Sequence, residues 1–149
     1  MPEAKEIIEK LLGQCTPVVF QAGGPSMNPT IRDGESVSIR PIQAGDLRPG
    51  TVLLYRKHNR LVLHRLIRRN SNTGSLYLVA DAATNGGEWI SPADILGVAE
   101  WSRRGARIRR LDGTPSRMAG LVRHFARPLR RALSHFRAAD HAHTPDHRV

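Results

Sequence analysis

A chain of 149 residues has room for one domain of ordinary size with an appended element. Apolar residues at 40% and charged residues at 24% allow a core and argue against wholesale disorder, while aromatics at 5% argue against a stacking platform for single-stranded nucleic acid. The net charge of +10 is local: residues 1–100 hold 11 basic and 10 acidic side chains, whereas residues 101–149 hold 12 arginines and 3 acids, so a basic appendage begins near Trp101–Gly105.

No apolar run approaches the roughly 18–20 residues needed to span a bilayer. The start, MPEAKEIIEK, has neither the basic opening nor the apolar stretch of a secretory signal, so the expected compartment is the cytoplasm. One cysteine, Cys15, allows no intramolecular disulfide and no cysteine-based zinc site. Cys15 is expected to be a buried thiol.

In chain order, Ala4, Ile7, Ile8, Leu11 and Leu12 recur at helical spacing, which predicts a helix over 2–12, with Pro2 in its first turn and Gly13 at its stop. From residue 17 the texture becomes short β-rich runs: Pro17–Gln21, Ser36–Arg40, Thr51–Arg56, Leu61–Arg68, Ser75–Ala80 and Ile95–Glu100. Turn signals such as Asp33-Gly34, Pro49-Gly50, Asn59 and Asn72-Thr73-Gly74 separate them, as in an antiparallel sheet, partly closed or sandwiched. Over 115–139 helical texture returns. Met118, Leu121, Val122, Phe125, Leu129, Leu133 and Phe136 form an apolar stripe, with arginines flanking or opposing it and Pro128 expected to kink or divide the helix. The end, DHAHTPDHRV, is short and polar. His135, His141, His143 and His147 are expected to belong to a frayed tail and not to a metal site.

The most specific stretch is Gly23-Gly24-Pro25-Ser26-Met27-Asn28-Pro29-Thr30-Ile31-Arg32-Asp33-Gly34-Glu35. It places a serine hydroxyl in a Gly/Pro turn after a strand, with backbone N–H groups nearby. A serine nucleophile needs a base within hydrogen-bond reach and donors for the developing oxyanion. This segment resembles the active-site motif of the signal peptidase and LexA-type serine peptidase superfamily, written around Gly-x-Ser-Met-x-Pro. The resemblance continues through Gly45–Val52, Leu61–Ile67, Tyr77–Ala82 and Ile95–Val98, in the family's order over residues 16–100.

The resemblance implies a mainly β, coiled β-sheet fold of the signal peptidase/LexA type over 16–100, to which the residue pattern adds an N-terminal helix over 1–15 and a basic helical tail over 101–149. It implies Ser26 as nucleophile and His64 as base, closest to the archaeal, endoplasmic-reticulum and sporulation-type branch, which pairs serine with histidine. Asp81 would orient His64 or support the site, and Met27 and Pro25 would border the substrate. Glu88 stands nearest to the family's second acid. The chain departs from the motif at Pro25, often glycine; at Gly24, which offers no hydroxyl to the oxyanion; and at Val79-Ala80-Asp81, which keeps only the acid of Lys-Gly-Asp. The usual membrane anchor is also missing.

The expected function is therefore a serine endopeptidase acting on an extended peptide or protein segment through an acyl-enzyme, with no cofactor and no metal. A catalytically silent relative that binds a peptide or a partner protein is the alternative. A LexA-type regulator is disfavoured, because about 15 residues before the fold are too few for a helix-turn-helix and Ala22-Gly23 lies too close to Ser26 for self-cleavage. The basic helix is expected to pack its apolar stripe on the domain with arginines in solvent. The competing reading lays residues 115–139 on an anionic membrane surface, and nucleic acid is the least favoured partner.

Overall fold

The computed structural model describes residues 2–83 and 86–140, with side chains over 3–83 and 86–128. Its element order is helix α1 (Pro2–Gly13), strands β1 (Val18–Gln21), β2 (Ser36–Arg40), β3 (Val52–Lys57), β4 (Arg60–Arg69), β5 (Leu76–Val79), β6 (Glu88–Ile90), β7 (Ile95–Arg104) and β8 (Arg107–Arg110), then helix α2 (Thr114–Asp140). Among the described residues the eight strands form one antiparallel, curled half-barrel sheet, so the protein is mainly β. The strand order is β1-β2-β7-β3-β4-β5-β6, and β8 pairs with β7.

Each strand lies where its sequence demands. Val52-Leu53-Leu54-Tyr55 is a continuous apolar run, and β3 is accordingly buried on both faces between β4 and β7. Val52 and Leu54 join one core with Leu12, Val37, Ile39 and Met27, whereas Leu53 and Tyr55 join a second with Leu66, Leu78 and Val98. The period-2 alternation of a strand sends neighbours to opposite faces, so one strand feeds two cores. Helix α1 borders the first core through Leu12 and braces the β3–β4 hairpin, with Lys5 Nζ donating to Asn59 Oδ1 at 3.0 Å and Arg56 Nε to Glu9 Oε1 at 3.0 Å.

Several expectations need correction. The sheet continues past residue 100 through β7 and β8, so the charge boundary near Trp101–Gly105 falls inside a hairpin and not at the sheet's end. Strands β6 and β8 escaped the sequence reading because one is three residues long and the other is arginine-rich and exposed. Cys15 is exposed and carries the positive φ (57°) that ends α1, so it is not a buried thiol. Helix α2 is not divided at Pro128, where a single lost backbone hydrogen bond is flanked on both sides by good helix formers.

The largest correction concerns the face that α2 turns inward. Gly120 is buried against the Arg65 guanidinium, where a Cβ would clash. Arg123 Nη1 donates to Thr30 Oγ1 at 2.9 Å, and Arg127 donates to the Ala83 carbonyl. The acceptors beneath the helix select its glycine–arginine face. Met118, Val122 and Phe125 consequently face solvent at 53%, 62% and 65% exposure. The segment HAHTPDHRV beyond Asp140 lies outside the described residues, as does the side chain of His135.

Candidate active site

The Ser26 loop is closed at its neck by paired backbone bonds, Ala22 N to Glu35 O and Gly34 N to Ala22 O, both 2.8 Å. Gly24 has φ +84°, a conformation that disfavours any side chain, and its N–H donates to Asp33 Oδ1 at 2.9 Å. Asn28 N donates to Pro25 O and Ile31 N to Met27 O, which winds 25–31 into a tight turn containing a cis Asn28–Pro29 bond. Met27 is 3% exposed and anchors this turn in the first core, while Ser26 and Pro25 are exposed above it. Met27 lines the cleft from below, and Pro25 is outside its lining.

The cleft, about 690 Å³, lies between this loop and the β3–β4 hairpin. Its walls include Phe20, Ser26, Met27, Lys57, His64 and Glu88. Ser26 and His64 therefore share one cleft, with no hydrogen bond between them among the described residues. On the strand β4, period-2 alternation turns His64 and Arg65 to opposite faces.

Arg65 is 1% exposed and makes the densest polar cluster. Its Nε and Nη2 donate to Asp81 Oδ1 and Oδ2 at 2.8 and 2.7 Å, and its Nη1 to Gly50 O at 2.7 Å. Thr30 Oγ1 donates to Asp81 Oδ2 and accepts from Arg65 Nη2 at 3.2 Å. Asp81 is thus committed to Arg65 and Thr30 and does not orient His64 by a hydrogen bond. It serves the Ser26 loop by another route: the next residue, Ala82, donates its N–H to Ser26 O at 2.9 Å. The Arg65–Asp81 pair fixes the turn that holds the serine backbone.

The partner of His64 is Tyr55, whose Oη lies 2.8 Å from Nδ1. Tyr55 Oη also donates to Glu88 Oε1 at 2.6 Å, and Lys57 Nζ pairs with Glu88 Oε2 at 2.7 Å. Burial lowers the His64 pKa below the ordinary histidine value; the charges of Glu88 and Asp81 oppose this, and that of Lys57 reinforces it. For Glu88, burial pushes upward but is outweighed by hydrogen bonds from Lys57 and Tyr55, which hold the carboxyl below its usual range. Burial first, then the Glu88 bond, drives the Tyr55 phenol upward and keeps it protonated.

Tyr55 and Lys57 were missed in the sequence, although a signal existed. A two-residue turn at His58-Asn59 pairs Lys57 with Arg60, Tyr55 with Val62 and Leu53 with His64. That register makes Tyr55 the diagonal same-face neighbour of His64. Among the described residues, no three His, Cys, Asp or Glu side chains are grouped as a metal site requires. Compared with known proteins, the chain matches no family model and no curated protein.

Proposed function

We propose that the protein is a serine endopeptidase of the signal peptidase-like kind, with Ser26 as nucleophile and His64 as general base. The observation that carries this reading is the shared cleft: an exposed serine on a glycine-shaped turn faces the same space as a half-buried histidine whose pKa is depressed, so that it is neutral at pH 7. His64 Nε2 takes the Ser26 Oγ proton as Oγ bonds to the scissile carbonyl carbon. Backbone N–H groups of the turn hold the oxyanion. The intermediate then collapses, the C–N bond breaks, and the departing amine takes the proton from His64. Water, deprotonated by His64, attacks the ester, and Ser26 leaves with that proton. In this reading the substrate is an extended segment lying beside β1, an edge strand of the sheet, whose Phe20 lines the cleft. The test is serine labelling: a fluorophosphonate adduct on Ser26 in the wild type, lost in Ser26→Ala and in His64→Gln. A folded protein with no adduct contradicts the reading and favours a silent peptide-binding relative.

The same reading makes an anionic membrane surface the partner of α2. Met118, Val122 and Phe125, at i, i+4 and i+7, present an apolar ridge to solvent, and Leu129, Leu133 and Phe136 continue that spacing in the sequence. Residues 114–139 hold six arginines, of which Arg123 and Arg127 donate to the domain, and no acid, so the net charge of the segment suits anionic lipid and opposes a second copy of the same helix. Attraction of about 1 kcal/mol per basic residue near such a surface is enough for reversible attachment. None of the described helices is long and apolar enough to cross a membrane. Vesicles containing phosphatidylserine should sediment the protein at low salt, and neutral vesicles or the triple variant Met118→Ser, Val122→Ser, Phe125→Ser should not. Concentration-dependent dimerisation abolished by the triple variant, or salt-sensitive binding to duplex DNA in place of vesicles, would point to the other partners.

A further inference from the structure

We infer that Tyr55, Glu88 and Lys57 form a positioning relay that locks His64 in the tautomer a base must have. The inference rests on the Ser26–His64 reading and names what orients the histidine once Asp81 is assigned to Arg65.

The number of protons available fixes the direction of each bond. The Tyr55 hydroxyl has one hydrogen and two close neighbours, Glu88 Oε1 at 2.6 Å and His64 Nδ1 at 2.8 Å. An ionised carboxylate only accepts. Glu88 is ionised because Lys57 Nζ lies 2.7 Å from its other oxygen. If the phenol donated to Nδ1, the 2.6 Å contact with Glu88 would set lone pair against lone pair. The hydrogen therefore goes to Glu88, and Tyr55 Oη accepts from His64, so Nδ1 carries the proton. A neutral imidazole has one N–H, which leaves the lone pair on Nε2, the nitrogen that can take a proton from Ser26.

The four groups form a directed chain, Lys57 to Glu88 to Tyr55 to His64. It also answers the charge that develops in catalysis. When His64 becomes an imidazolium, its Nδ1–H faces a phenol oxygen already polarised by Glu88, so the cation is stabilised without a carboxylate in contact. Tyr55 is fully buried, and its ring lies 5.6 Å from that of His64, so the hydroxyl cannot swing away. Glu88 stands on β6 and Lys57 at the end of β3, so the relay ties the short edge strand to the hairpin that bears the base. The groups facing His64 are then Tyr55 and Lys57 from β3, Glu88 from β6, and the more distant Asp81 after β5.

The test uses the full chain with ¹⁵N-labelled histidine and a fluorophosphonate probe. Long-range ¹H–¹⁵N spectra above the His64 pKa should show a protonated Nδ1 and an unprotonated Nε2 in the wild type and in Ser26→Ala. Tyr55→Phe keeps the ring and removes one oxygen. It should shift His64 toward the Nε2–H tautomer and slow labelling of Ser26 by about 10- to 100-fold, a share of what a general base supplies. Glu88→Gln should slow labelling and move its acid limb to lower pH, which a merely structural role would not do. An Nε2–H tautomer in the wild type overturns the relay, as does Tyr55→Phe with unchanged tautomer and rate. If the wild type is never labelled, the peptidase reading fails, and the spectra still decide the relay.

Discussion

Replacing Asp81 by alanine should destabilise the fold far more than a surface change does. The carboxylate is 7% exposed and accepts from Arg65 Nε, Arg65 Nη2 and Thr30 Oγ1, with Arg123 Nη1 a further 3.8 Å away. Removing it leaves the 1%-exposed Arg65, among the described residues, with only Gly50 O and Thr30 as partners, beside a second guanidinium. Breaking a buried pair from one side costs about 3–5 kcal/mol. For a domain of this size each kcal/mol lowers Tm by roughly 2–4 °C, which gives a loss of about 6–20 °C. Asp81 sits on the turn that donates to Ser26 O, so the serine loop should loosen with it. Thermal melts and urea titrations followed by circular dichroism give the size of the effect. Arg65→Met combined with Asp81→Leu should recover much of the loss, because an apolar pair leaves no charge uncompensated. The reasoning fails if Asp81→Ala costs less than about 1 kcal/mol, or if the double variant is no better than the sum of its parts.

Three further outcomes follow from the same geometry. The acid limb of the labelling rate should fall below the ordinary histidine pKa of about 6.5, because burial depresses His64; a limb at clearly alkaline pH would assign the base elsewhere. The sign of the stability effect is set by the same depression: the folded state resists protonating His64, so its contribution is complete above about pH 6.5 and is lost as the pH falls toward the folded-state pKa, a loss that His64→Gln should remove from the pH dependence of urea midpoints. Gly120→Leu should lift α2 from the domain and raise proteolysis within 114–128, since its side chain would occupy the Arg65 guanidinium's space; unchanged protection would contradict the packing described.

The sheet was legible because its strands announce themselves. Ser36–Arg40 was read to the residue, and the run read over Thr51–Arg56 is strand Val52–Lys57. The edge elements were not legible, since Glu88–Ile90 and Arg107–Arg110 carry too little apolar pattern to be seen without their pairing partners. At the site, Ser26 and His64 stood out through their surroundings, and both face the cleft. The partner of His64 did not stand out. A resemblance pointed to Asp81, but the adjacent Arg65 claims that carboxylate, and the diagonal hairpin neighbour Tyr55 takes its place. Helix α2 misled for a physical reason. Amphipathicity says which face is apolar, whereas the docking face here is chosen by Gly120 and by acceptors at Thr30, Asp81 and Ala83, none of which lies on the helix's own hydrophobic pattern except as an interruption.

The central claim is tested most directly by intact-protein and peptide mass spectrometry after fluorophosphonate treatment, with wild type and Ser26→Ala side by side. A single adduct is expected on the peptide containing Ser26, formed faster as the pH rises through the His64 titration and absent from the Ser26→Ala protein. An adduct at any other residue, equal labelling of both proteins, or a folded wild type that takes up no probe would contradict it.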